Sequence, residues 1–156
     1  MHEITELKMR AISLINEIFV PLGLKPIEDL PQACPGNGKH CVLALILQTN
    51  PAWNNVWVSE ASTVLNWDDS MDATSISFPK ELVEFIREFD CGNIPDLISL
   101  KSMDEHTFEN DYDTYISILG TIESKGIDIG NRLDFLKETQ HAVPLLALSN
   151  TEGGID

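Results

Sequence analysis

Apolar residues recur every three or four positions through the first part of the chain. Ile4, Leu7, Ala11, Leu14, Ile15, Ile18 and Leu22 fall on one stripe, which predicts an amphipathic helix from about Glu3 to Val20. Pro21 and Gly23 end it. Residues 25–39 carry Pro26, Pro31, Pro35, Gly36 and Gly38 and predict an ordered loop. His40 to Gln48 is almost wholly apolar. A pattern without alternation fits a buried helix or a buried strand, and its Leu and Ala content favours the helix.

From Trp53 to Phe78 the pattern shortens. Val56-Trp57-Val58, Thr63-Val64-Leu65 and Ile76 with Phe78 predict short strands between polar turns. Ser59 to Trp67 also fits a helical turn. Ser77, Pro79 and Glu81 predict the start of a helix: a capping hydroxyl, a proline in the first turn and an acid near the positive end of the dipole. Leu82, Phe85, Ile86 and Phe89 supply its buried stripe, and Gly92 and Pro95 close it. A further helix is expected from Glu109 to Ser124, with Tyr112, Tyr115, Ile116, Leu119 and Ile122 inward. The last runs from Asn131 to Val143, on Leu133, Leu136 and Val143, before Pro144. The expected fold class is α+β: a mainly helical single domain over residues 1–150 with a small, antiparallel central sheet. Residues 151–156 are expected to form a flexible tail. There is no internal repeat and no strand–Gly-rich loop–helix series of a parallel nucleotide fold.

Charge changes the picture more than composition does. The 156 residues suffice for a core without metal or disulfide, burying about 70% of the unfolded chain's surface. They hold 25 Asp and Glu against 10 Lys and Arg, a formal charge of -15. Charged residues make up 22% of the chain, near the ordinary value of about 25%, so bases are missing as much as acids are added. The first fifty residues hold five acids and four bases; the rest hold twenty acids and six bases. Such a surface repels nucleic-acid phosphates and anionic membranes and attracts basic proteins or cations. No run of 18 apolar residues exists, and the N-terminal stretch is acidic where a signal peptide is basic. Three cysteines make no disulfide framework, so a cytoplasmic location is expected.

Candidate chemistry is thin. Cys34, His40 and Cys41 supply two thiolates and an imidazole that could begin a zinc site. Structural zinc needs four ligands, and only Cys91 and His106 remain as distant completions. A Cys34–Cys41 disulfide is sterically conceivable but disfavoured in a reducing compartment. The favoured assignment is a buried Cys41 at a helix start beside an incidental loop thiol. Gly38-Lys39 is no phosphate loop, because His40 replaces the hydroxyl and Ala33 the first glycine. Asp68, Asp69 and Asp72 could share a divalent cation on one helical face. Across five residues they resemble the aspartate-rich magnesium motif of terpene synthases, without that family's second motif or size; a polar turn is favoured. Neither EF-hand register through Asp104 or Glu109 places its glycine and glutamate correctly. Trp53, Trp57 and Trp67 suit core packing better than an interface. Neither a nucleophile elbow nor a His-Glu-x-x-His motif occurs, and no cofactor is expected.

The densest acidic patch is Asp104, Glu105, Glu109, Asp111 and Asp113, with no Lys or Arg among them. These five are the expected partner-binding residues. The favoured function is a small acidic, non-enzymatic binding protein that docks on a basic partner, including one whose basic site serves nucleic acid. Its size and acidity match the profile of inhibitors, immunity proteins and nucleic-acid mimics. The alternatives are an acidic adaptor or secretion-type chaperone with an apolar groove, and a metal or redox protein using the Cys34/His40/Cys41 loop.

Overall fold

A computed structural model describes residues 2–66, 73–106 and 112–139. Helix α1 spans His2–Phe19 and passes into a 3-10 turn, Val20–Leu22. Pro21 lies in that turn, and Gly23 ends it at φ 121°, where its N–H bonds the Val20 carbonyl. Ala11, Leu14, Ile15 and Phe19 are buried. Phe19 completes the stripe in place of Leu22, which is 50% exposed. The predicted stripe ran one turn too far because the proline redirects the chain before Leu22. Complete burial of Phe19 contributes about 2–3 kcal/mol of transfer free energy.

The proline-rich loop is tied down at two points. The Asn16 side chain donates to the Ile27 carbonyl at 3.0 Å and accepts from the Ile27 N–H at 2.8 Å. Ala33 makes a parallel bridge to Ile98, with Ala33 N–H donating to Leu97 and Ser99 N–H to Ala33. The apolar segment is helical, as its Leu and Ala content predicts: α2 covers Val42–Leu47, with all but Leu45 buried. A helix enclosed on nearly all sides shows no amphipathic period, which is why the pattern alone left a strand open.

Strands β1 (Val56–Val58), β2 (Ser62–Leu65) and β3 (Thr74–Ser77) form an antiparallel meander in that order. The register pairs Val56 with Leu65 and Val58 with Thr63, and Thr63 with Ile76. Val56, Val58, Thr63 and Leu65 face the core. Trp57, Val64 and Ser75 make a row on the other face. The segment considered as a helical turn, residues 59–67, is instead the β1–β2 turn at residues 59–61 followed by strand β2 as far as Leu65; Trp67 lies outside the described residues, as do Asp68, Asp69 and Asp72.

Helix α3 covers Lys80–Asp90 and buries Leu82, Phe85, Ile86 and Phe89 as expected. Its cap differs from the prediction. Ser77 is committed to the ladder with Ser62, and Pro79 occupies the cap position without a side-chain bond. After a 3-10 turn at Pro95–Leu97 comes α4, Leu100–Glu105, which the apolar pattern missed. Its signal was Ser99, whose side chain accepts the Ser102 N–H at 3.1 Å. Helix α5 spans Tyr112–Ser124 and buries Tyr115, Ile118, Leu119 and Ile122; α6 spans Arg132–Thr139. The predicted continuation to Val143, Pro144 and the tail 151–156 lie outside the described residues. The molecule is thus a mainly helical α+β domain with one buried cluster drawn from helices α1 to α6 and from β1 and β2, against which Ile76 of β3 packs half-buried. Among the described residues, no helix is long and apolar enough to cross a membrane.

Candidate functional site

The predicted acidic patch is divided by the fold. Asp104 is 6% exposed and turned inward from α4. Arg132, at the start of α6, grips it with Nε donating to Oδ1 and Nη2 to Oδ2, both at 2.8 Å, while Nη1 donates to the Ile129 carbonyl at 2.9 Å. The Asp104 hydrogen bonds hold the Arg132 guanidinium charged, raising its pKa despite partial burial. This bidentate pair joins α4 to α6. Asp104 is consequently a structural ion-pair partner and not an outward-facing docking carboxylate. Glu105 and Asp113 are exposed, the latter in the first turn of α5 where the dipole favours an acid. Glu109 and Asp111 lie outside the described residues.

The Cys34/His40/Cys41 loop is packed from several sides. Cys34 is fully buried, its Sγ 3.1 Å from the Tyr115 hydroxyl, which donates to the Met103 carbonyl at 3.1 Å. Cys41 occupies the cap position of α2, and burial pushes its thiol up to about 12; the nearby Asp90 charge acts the same way, against the Ala44 and Leu43 N–H groups. A thiol so protonated is a poor nucleophile and a poor ligand. His40 stacks on His106 with ring centroids 3.5 Å apart and planes 15° from parallel. Asp90 reaches under the loop and accepts the Gly36 N–H at 2.8 Å. Burial raises the Asp90 carboxyl to about 6; the Gly36 bond opposes the rise and the Glu60 charge adds to it. Among the described residues, no three His, Cys, Asp or Glu side chains are placed to hold a metal ion. Cys34, Cys41 and Cys91 form no disulfide among the described residues.

A different acidic feature is assembled between α1 and α3. Glu81, Glu84 and Glu88 recur at helical spacing along α3, opposite Glu6 and Arg10 of α1. Ile4 and Leu7 provide apolar surface in the groove between them, whose volume is ≈ 580 Å³. Arg10 Nε donates to Glu81 Oε1 at 2.9 Å, with both side chains about half exposed. Glu88 accepts from Asn93 at 2.9 Å. Glu6 and Glu84 are exposed and make no ion pair within the described residues. On the other side of α1, a second groove of ≈ 470 Å³ is lined in part by Lys8, Met9, Glu28, Asp29 and Asp96, and Lys8 pairs with Asp96. Met9, in the lining of this second groove, is 64% exposed. Sequence reasoning missed this arrangement because its carboxylates come from separate segments. The three-four spacing of Glu81, Glu84 and Glu88 was the one local signal.

Trp53 is buried edge-on against Phe19, with centroids 6.3 Å apart. Trp57 is 44% exposed, so the expectation of a core tryptophan fails there. A three-residue strand whose neighbours Val56 and Val58 point inward leaves Trp57 no inward position.

Compared with known proteins, the chain matches no protein-family model, no curated protein and no solved structure.

Proposed function

We propose that this protein is a small acidic, non-enzymatic binding protein that docks on a basic partner protein, in the manner of an inhibitor, an immunity protein or a nucleic-acid mimic. One observation carries the proposal. All three arginines are held by carboxylates of their own chain: Arg10 by Glu81, Arg87 by Glu60 and Arg132 by Asp104. Guanidinium groups are the best tools for gripping phosphate, and here each is engaged internally. Exposed carboxylates such as Glu6, Glu84, Glu105 and Asp113 are left facing outward. Direct nucleic-acid binding is correspondingly disfavoured, and a cationic protein surface is the complementary partner. A cytoplasmic location fits three cysteines that form no disulfide with one another. The adaptor reading draws support from a small, mostly apolar groove lined by Ile27, Leu30, Pro31, Leu45 and Ile46.

The test is capture from a lysate at low salt, followed by kinetics on the purified pair. Steering by complementary charge accelerates association by about 10- to 1,000-fold at low ionic strength. The association rate should therefore fall steeply as salt is added while dissociation changes little. An association rate indifferent to salt overturns the proposal.

A further inference from the structure

We infer that the groove between α1 and α3 receives a basic amphipathic helix, with the partner's apolar stripe on Ile4 and Leu7 and its Lys or Arg side chains along the glutamates of α3. The inference rests on the acidic-binding proposal above and assigns it a face and a class of occupant.

The geometry is that of helix-in-groove recognition. Helix α3 has eleven residues, about 16 Å of axis, which matches three turns of a partner helix. Its inner face is consumed by Leu82, Phe85, Ile86 and Phe89. Glu81, Glu84 and Glu88 therefore form a carboxylate row along one wall, and Glu6 stands on the other. The groove holds four carboxylates against one guanidinium, and Ile4 and Leu7 remain only partly covered. Arg10 already lies on Glu81 at 2.9 Å. The protein thus shows within itself the kind of contact a partner's arginine would make one turn further along, at Glu84. An acidic surface that merely imitated a phosphate backbone would have no use for Ile4 and Leu7 in its lining. A basic helix with one apolar face satisfies both features at once.

The probe is a synthetic helical peptide of fourteen residues with leucines at helical spacing and flanking lysines. Two controls are a scrambled peptide of the same composition and a lysine homopolymer. Binding is measured by calorimetry at low and at high salt and mapped by backbone amide shifts. The variants are Glu6→Gln/Glu84→Gln in the groove and Asp134→Asn/Glu138→Gln on α6, away from it; all four positions are exposed, so each variant should fold. The expected result is a single site with shifts centred on residues 4–10 and 81–88, about fivefold or more weaker in the groove variant. The distant variant should stay near wild type, and the scrambled peptide should bind more weakly. Equal affinity for both peptides, or amide shifts centred on Glu105 and Asp113 instead, overturns the groove while leaving an acidic binding protein standing. Failure of every cationic probe to bind in a salt-dependent way overturns both.

Discussion

Asp104 shows how a single carboxylate changes meaning between chain and fold. Along the sequence it is the first acid of a run, and a run of acids predicts a solvated face. In the fold it points inward from α4 with both oxygens on Arg132. Removing one member of a fully buried pair costs about 3–5 kcal/mol. Arg132 keeps 26% of its side chain exposed, so Asp104→Asn should cost about 2–3 kcal/mol, measured as a shift in urea midpoint. Glu105→Gln, one residue on and exposed, should leave stability near wild type. Equal effects would mean that Asp104 is not an internal partner. Asp90 offers a test with pH. Its folded-state pKa, about 6, lies above the ordinary 3.8. The native state therefore binds the extra proton between those values, and its stability falls as pH rises from about 4 through 6. Asn keeps an acceptor for the Gly36 N–H without the charge. Asp90→Asn should match wild type near pH 4 and exceed it at pH 7 by up to about 2 kcal/mol. A constant difference across that range would refute the assignment.

At the scale of elements, the long amphipathic helices were the most legible parts. Stripes such as Ala11, Leu14, Ile15 and Leu82, Phe85, Ile86 report burial directly, because a helix with one wet face must repeat its apolar residues every three or four positions. Short or enclosed elements were less so. Helix α4 has six residues and announces itself by a cap alone. Helix α2 is buried almost all round, and Trp57 takes its exposure from strand alternation between two buried valines. The loop over the sheet depends on a close approach. The Gly38 carbonyl accepts the Val58 N–H at 2.9 Å, and a Cβ on Gly38 would lie 2.7 Å from the Val58 carbonyl oxygen and 3.1 Å from the Trp57 ring. Gly38→Ala should lower stability by about 1–3 kcal/mol through that backbone clash. Gly120, inside α5 with nothing within 4 Å of a built Cβ, is the contrast: Gly120→Ala should raise stability by about 0.5–1 kcal/mol. Thermal midpoints moving in the same direction for both would contradict this packing.

At the scale of the molecule, the salt-sensitive association proposed above depends on summed charge, whereas the groove depends on where the charge is placed. The sequence by itself determined the acidity, the helical stripes and the α+β class, because composition and periodicity are local properties. The deficit of Lys and Arg needs only counting, and each stripe needs only its own neighbours. Tertiary structure decided which acids act together. It withdrew Asp104 into the pair with Arg132 and set Glu6 opposite Glu81, Glu84 and Glu88 across more than seventy residues of chain. The nearly neutral α1 thereby became one wall of an acidic groove. That outcome follows from α1 and α3 burying their apolar stripes against the same core. Burial of the stripes aligns the two helices, and their polar edges are brought together as a consequence.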